Sequence, residues 1–436
     1  MTSVPRHPRA MLERVFQGAL AAVAPGPAVR RGLEGVDLDP RCWIRLLAMG
    51  KAAVPMATAA ADVLRERGIR LRDGLVVDSR SVTLTNPAVR VVVGDHPVPG
   101  LRSAEAACAL ERFTKDGRPD DVVLVLLSGG TSSLVGAPVS GLTRADLEAI
   151  HRLAMRAGLP IGEMNRLRRR FSHWGAGRLA AALFPAKLHV LAISDVPGDA
   201  FADIGSGPCS PDPDRAGPLR EWLWASGLWD ALPPNARTTL DAVVTGDLPD
   251  TPSGGDTVFH QIEPRIIASN TDAMRGAQET AIRLGLRATT DPQSLSGDAA
   301  GMGRHLARRV ISTPRLEHPE CLIWGGETAI ALPEGHAARG GRSQELALAA
   351  AELLATAPGS YPALLAAGTD GVDGRGDAAG AVVDPSTWQR IVAAGRQPRA
   401  DLHAHQSYDA LDSAGALLRT GPTGTNVMDL VLALQR

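Results

Sequence analysis

Apolar residues occur along this chain in short runs, each stopped by a glycine-rich or acidic turn and followed by a stretch with apolar positions at helical spacing. Trp43–Met49 leads through Gly50-Lys51 into a helical pattern from Lys51 to Arg67, and Val122–Leu127 leads through Ser128-Gly129-Gly130 into Thr131–Leu134. Runs of this length suit strands buried on both faces, and the 3.6-residue period after each one suits a helix with one buried face. Further strands are expected at Leu188–Ser194, Arg265–Ser269, Cys321–Trp324, Ala329–Leu332 and Pro362–Ala367. Helices are expected at Pro8–Val23, Ser103–Thr114, Thr143–Arg156, Thr271–Leu284, Asp298–Ser312 and Ser343–Ala355. The alternation predicts an α/β architecture with mainly parallel strands and ligands beyond their carboxyl ends. No repeat of fixed period runs through the chain, which excludes solenoids and propellers.

A chain of 436 residues is long for one core. The segment Leu248-Pro-Asp-Thr-Pro-Ser-Gly-Gly-Asp256 is dense in turn formers, so the expected division is an N-terminal domain over 1–252 and a C-terminal one over 253–436. With 44% apolar and 21% charged residues the composition is that of a globular protein, and a net charge of -1 offers no footprint for nucleic acid or an anionic membrane. No stretch has the roughly 20 apolar residues of a membrane span, and the N-terminus lacks the apolar core of a secretory signal, so the chain reads as cytoplasmic. Cys42, Cys108, Cys209 and Cys321 are scattered, without zinc or redox spacing, and read as inert thiols.

Glycine-rich turns after strands let backbone N–H groups approach an anion, and here several of them bear charged residues. Ser128, Gly129, Gly130 and Thr131 form one anion-binding candidate, although a capped strand-to-helix turn reads the same locally. Lys51 stands out because Lys115 and Lys187 are the only other lysines in an arginine-rich chain. In Ser194-Asp195-Val-Pro-Gly-Asp199 the first carboxylate is placed to accept a proton or hold Mg²⁺, whereas Asp212 and Asp214, beside prolines, read as turn residues. Glu327, Arg342 and Gln344 lie in neighbouring glycine turns, with Arg342 at a helix start suited to bidentate anion contact. Asp370, Thr423 and Asn426 occupy two more such turns. His96 has no metal-ligand partner at a recognised spacing and reads as packing. The chain lacks a Walker-type phosphate loop, a Gly-x-Ser-x-Gly elbow and a dinucleotide Gly-x-Gly-x-x-Gly fingerprint.

In order, Gly50-Lys51-Ala-Ala, Asp95-His-Pro-Val-Pro99, Leu127-Ser-Gly-Gly130, Ser194-Asp195-Val-Pro-Gly-Asp199, Ser206-Gly-Pro208, Gly325-Gly-Glu-Thr328, Gly340-Gly-Arg342, Gly368-Thr-Asp-Gly371 and Thr420-Gly-Pro-Thr-Gly-Thr-Asn-Val427 resemble the motifs of glycerate 2-kinases with a C-terminal MOFRL domain. The resemblance spans nearly the whole chain. It implies an N-terminal Rossmann-like parallel sheet flanked by helices, a C-terminal α/β MOFRL domain and an active site in the cleft between them. It also implies ATP-dependent phosphorylation of D-glycerate to 2-phosphoglycerate with Mg²⁺ or Mn²⁺, and is compatible with a homodimer. Lys51, Asp195 and Arg342 fall where the family places its main active-site groups, and Glu327, Asp370 and Asn426 lie in matching motifs. Proteins of this family have also been labelled hydroxypyruvate reductases. Two positions depart from the pattern: Gly175 stands where Ser-x-x-Lys-Gly-Gly has lysine, and Ser343 where Gly-Gly-Arg-Asn-Gln-Glu has asparagine. Arg168, Arg169, Arg170 and Arg178 are candidate replacements for the missing lysine, and an altered hydroxy-acid preference or lost activity is the alternative reading.

Overall fold

The computed structural model describes residues 7–157, 159, 161–312, 318–333, 336–357 and 362–435. The chain divides into two compact units, one running from Pro25 to Ile267 and the other joining Met1–Ala24 to Ala268–Arg436. This division differs from the one expected at 252/253. Residues 248–256 form a loop, but one pinned within the first unit: Asp250 pairs with Arg170 and Arg215, and Thr251 Oγ1 donates to Asp212 at 2.9 Å. Burial opposes ionisation of Asp250, yet bonds from Arg170 and two backbone N–H groups bring its pKa down to about 2.

The first unit carries strands β1 (Trp43–Met49), β2 (Arg70–Asp78), β3 (Val89–Val93), β4 (Val122–Leu127), β5 (Lys187–Ile193) and β6 (Ile262–Ala268) in the order β3-β2-β1-β4-β5-β6. The pairs from β3 through β5 are all parallel. The chain winds outward from β1 to β3, then returns to the other side of β1 and winds the opposite way, as in Rossmann-type sheets. Leu46–Met49 and Val123–Leu127 are buried throughout, which is why these strands read as apolar runs. Arg45 interrupts β1 and is buried as well. Its guanidinium meets Asp73 at 2.8 and 3.0 Å and lies 3.8 Å from the Phe113 ring centroid, so the charge is paired rather than stranded. Beside the sheet, helices Arg144–Arg156, Ile161–Phe171, Ala216–Ala225 and Pro234–Thr245 share a smaller core around Leu147, Ile150, Phe171 and Leu223.

The second unit is built on β7 (Arg287–Thr290), β8 (Glu320–Gly326), β9 (Ala363–Gly368), β10 (Gly380–Val383), β11 (Leu417–Leu418) and β12 (Asp429–Gln435), in the order β11-β10-β9-β12-β8-β7. Only β7–β8 is parallel; the other pairs are antiparallel, which corrects the expectation of mainly parallel strands for this half. The expected strand Ala329–Leu332 is also absent. Ala329 makes a single bridge to Asp298, and β8 finds its partner in β12, about a hundred residues further along the chain. The N-terminal helix Pro8–Ala22 belongs to this unit because it packs on the helix Asn270–Arg283. Contact is close: a Cβ at Gly18 would stand 2.0 Å from Thr280 Oγ1, and one at Gly276 would stand 2.4 Å from Ala22 Cβ. Arg9 adds bonds to the carbonyls of Gly415 and Leu417 at 2.6 and 2.9 Å.

Candidate active site

The predicted residues gather in two places, one in each unit. In the Rossmann-like unit β1 and β4 pair in register up to Met49 and Leu127, so their carboxyl ends stop level where the winding direction reverses. The two following turns are stitched together. Ser128 N–H donates to Met49 O at 3.0 Å, Lys51 N–H to Gly129 O at 2.9 Å, and Ala52 N–H to Ser128 Oγ at 3.1 Å. Thr131 Oγ1 donates to the carbonyls of Met49 and Ser128 at 3.0 and 2.8 Å. Ser128 and Thr131, candidates for ligand contact, are thus buried hydroxyls that build the turn.

The two glycines of the turn permit what surrounds it. A Cβ on Gly129 would lie 1.9 Å from Asp195 Oδ2, too close for any side chain. A Cβ on Gly130, where φ is +88°, would lie 3.1 Å from His96 Cδ2 and 3.3 Å from Lys51 Cγ. Glycine at both positions lets Lys51, Asp195 and the exposed ring of His96 converge on one turn at the strand ends. His96, read from sequence as packing, is therefore a neighbour of Lys51. Lys115 and Lys187, by contrast, sit in surface pairs with Glu111 and Glu263 at 2.7 and 2.9 Å.

The position expected to hold a lysine is buried: a Cβ on Gly175 would stand 3.0 Å from the Ser206 carbonyl oxygen. Of the four candidate arginines, Arg169 is bound to Asp203, Asp212 and Asp214, and Arg170 to Asp212 and Asp250. Arg178 donates to the carbonyls of Arg169, Arg170, Ser172 and Gly175. Arg168 differs. Its Nε is buried without a hydrogen-bond partner, as are those of Arg169 and Arg170, but unlike theirs its guanidinium makes no hydrogen bond or ion pair among the described residues, and burial lowers its pKa while the Asp195 charge raises it. Asp212 and Asp214 hold these arginines, and Asp212 Oδ1 also accepts from Asp214 N–H at 3.1 Å, the expected turn geometry.

In the second unit Asp429, the first residue of β12, lies level with Gly326 at the end of β8 and with Gly368 at the end of β9. Glu327 and Asp370 follow those glycines, and the helix Arg342–Leu354 starts at the same end. Arg342 donates from Nε and Nη2 to the two oxygens of Asp429 at 2.5 and 3.0 Å, and its Nη1 pairs with Glu327. Burial works against the Arg342 charge, but Asp429 and Glu327 outweigh it and raise its pKa. The helix start is capped from outside: Asp373 accepts from Ser343 N–H at 3.2 Å and from Gln344 N–H at 2.8 Å. Burial, with the nearby Asp429 charge, pushes Asp373 up to about 7.

The remaining candidates serve the loops. Gln344 is fully buried and its side-chain N–H donates to Asp373 O at 2.9 Å; Thr423 Oγ1 donates to Thr369 O at 2.6 Å. Asp370 and Asn426, partly exposed, accept from Val372 N–H and Met428 N–H, each at 3.2 Å. Among the described residues no three His, Cys, Asp or Glu side chains gather as a ready-made metal site. Cys209 and Cys321 are buried thiols pushed up to about 12 by desolvation, which fits inert packing. Sequence reasoning missed Asp429, although a lone acid heading the apolar run Leu430–Leu434 was a visible signal.

Two family models match the chain: a domain of unknown function, DUF4147, over residues 11–241, and the MOFRL family over 320–429. The D-glycerate 2-kinase of Thermotoga maritima is 35% identical over 96% of both chains. The chain belongs to the glycerate 2-kinase family with a MOFRL domain. The crystal structure of a Thermotoga maritima glycerate kinase superposes with a TM-score of 0.82 at 32% identity, covering 98% of this chain and all of that one. A protein of Agrobacterium vitis with a provisional hydroxypyruvate reductase name is 35% identical over 97% of this chain and 93% of its own length. The two names thus attach to one family, and this glycerate 2-kinase relative keeps Lys51, Asp195 and Arg342 while carrying Gly175 and Ser343.

Proposed function

We propose that this protein phosphorylates the 2-hydroxyl of D-glycerate with ATP, giving 2-phosphoglycerate and ADP. The observation that carries this reading is the convergence of Lys51, Asp195 and the Ser128-Gly129-Gly130 turn at the carboxyl ends of β1 and β4 in a chain of this family. In the proposed step the 2-hydroxyl oxygen forms a bond to the γ-phosphorus, the bond from that phosphorus to the ADP oxygen breaks with its electron pair leaving on ADP, and the hydroxyl proton passes to Asp195. Lys51 and Arg342, each within its own unit, are the cations we assign to phosphate oxygens, since positioning and electrostatics supply most of the catalysis in phosphoryl transfer. Backbone N–H groups of the Gly129-Gly130 turn are suited to an anionic oxygen, and Glu327, Gln344, Asp370, Thr423 and Asn426 shape the loops around Arg342.

Mg²⁺ typically takes one or two carboxylates together with nucleotide oxygens, so a single partly exposed carboxylate such as Asp195 fits it without a protein cluster. Bound there, Mg²⁺ or Mn²⁺ would screen the phosphate charge. Arg168 is the cation we assign to the substrate carboxylate, because its fellows are bound elsewhere and its charge falls on Asp195.

The test is ATP-dependent formation of 2-phosphoglycerate from D-glycerate by the purified, folded protein with Mg²⁺, followed by the same assay on Arg168→Ala. A KM for glycerate raised about tenfold or more, with the KM for ATP little changed, is expected for loss of a charge-assisted contact. If no phosphorylated product forms from glycerate or related hydroxy acids, the kinase reading fails. The hydroxypyruvate reductase name of some relatives supports the rival reading, and NADH oxidation by hydroxypyruvate without any kinase activity would establish it.

A further inference from the structure

The two carboxylates on Arg342 differ in kind, although both carry the same charge. Asp429 is buried, sits at the head of the central strand β12 and engages both Nε and Nη2. Glu327 belongs to the turn after β8, its side chain is 29% exposed, and it engages the guanidinium through Nη1. A bidentate pair fixes the plane of a guanidinium, whereas an ion pair to one of its nitrogens from a partly exposed side chain constrains that plane less and is more open to competition by an anion. Asp373 lies on the same side, with a Cβ on Gly341 standing only 2.3 Å from its Oδ1. The arginine is thus surrounded by acids, and a phosphate oxygen approaching it would meet net negative charge unless one carboxylate gives way.

We propose that Asp429 is the positioning residue for Arg342 and that Glu327 is the carboxylate an incoming phosphate oxygen displaces. The inference rests on the reading of Arg342 as a cation of the phosphoryl site. Asp429 is held by the strand and both its oxygens are in use, so it stays. Glu327 vacates the Nη1 edge, and the anion takes its place on a guanidinium whose plane is already set.

A double-mutant cycle with Arg342→Ala and Asp429→Asn, read as kcat and KM for ATP alongside thermal unfolding, tests the first half. Asp429→Asn should lower kcat by about tenfold or more with the fold retained, and should cost less than about threefold further once Arg342 is alanine. Equal losses in both backgrounds would overturn the positioning role, because a general structural effect does not depend on Arg342. Should Asp429→Asn fail to fold, Asp429→Glu, which keeps the charge and moves it by one methylene, carries the same expectation.

Calorimetry with ATP tests the second half without reference to turnover. Glu327→Gln should bind ATP about threefold to tenfold more tightly than the parent, and Arg342→Ala should abolish that difference. Unchanged or weaker binding by Glu327→Gln would overturn the exchange. If Arg342→Ala itself leaves kcat and ATP affinity intact, the phosphoryl-site reading of Arg342 fails instead, which separates the two failures.

Discussion

At the scale of single residues, the chemistry of this chain depends on where the fold places each charge. Lys51 lies against Gly130 beside His96, in the turn that also brings Asp195 close, whereas Lys115 forms an exposed pair with Glu111 one helical turn away. Lys51→Ala should therefore reduce kcat/KM by about 100-fold, as expected for loss of one preorganised electrostatic donor, and Lys51→Arg should restore little because a planar guanidinium cannot take the place of a compact ammonium. Lys115→Ala serves as the control and should stay within about twofold, since exposed helix pairs contribute little. Steady-state kinetics with glycerate and ATP below saturation decide the matter, and near-normal kinetics for Lys51→Ala would remove it from the catalytic set. The same logic distinguishes the arginines. Arg178 is absorbed by carbonyls within nine residues of it, and Arg169 and Arg170 by carboxylates 34 to 80 residues away, so sequence could not tell these two from Arg168.

At the scale of elements, the strands with uninterrupted apolar runs matched their expected ends closely. β1 and β4 run over the expected Trp43–Met49 and Val122–Leu127, and β5, β8 and β9 start or stop within a few residues of expectation. The failures share one cause. The strand expected at Ala329–Leu332 does not form, β8 pairing instead with the longer apolar run of β12, and no local pattern announces a pairing of that range. The docking of the N-terminal helix is likewise a tertiary fact, resting on small residues at the contact with Asn270–Arg283. Gly276→Ala tests it in a way that propensity alone cannot mimic. In an isolated helix the change would gain up to about 1 kcal/mol, but here the new Cβ meets Ala22, so a net loss of about 1–3 kcal/mol is expected in urea unfolding. Gly217→Ala, in the helix Ala216–Ala225 with nothing within 4 Å, is the helical control. A stabilised Gly276→Ala protein would mean that the helices do not pack this closely in solution.

At the scale of the whole molecule, the Rossmann-like unit carries a built-in acid sensitivity. His151 is buried in the helical core, its Nδ1 lacks a hydrogen-bond partner among the described residues, and desolvation, with Arg168 adding to it, brings its pKa down to about 3. The unfolded chain takes up that proton near pH 6.5 while the folded unit refuses it until far lower pH. Its contribution is therefore complete above pH 6.5 and drains away as pH falls toward 3, with a slope of about 1.4 kcal/mol per unit. His151→Leu should flatten the pH dependence of unfolding between pH 6 and 4 by about one proton, and an unchanged slope would show that the histidine is not held neutral. Sequence by itself determined the α/β class, the apolar strands and the glycine turns at their ends, because a strand buried on both faces must be apolar throughout and a turn approached by charged side chains must lack a Cβ. It also determined family membership and which charged residues are candidates. Tertiary structure alone decided that the N-terminal helix joins the second unit, that β12 enters between β8 and β9, and that Asp429 faces Arg342. Those outcomes depend on contacts between segments tens to hundreds of residues apart, where neither local periodicity nor turn chemistry carries information, and where burial settles which charges pair and which stay available.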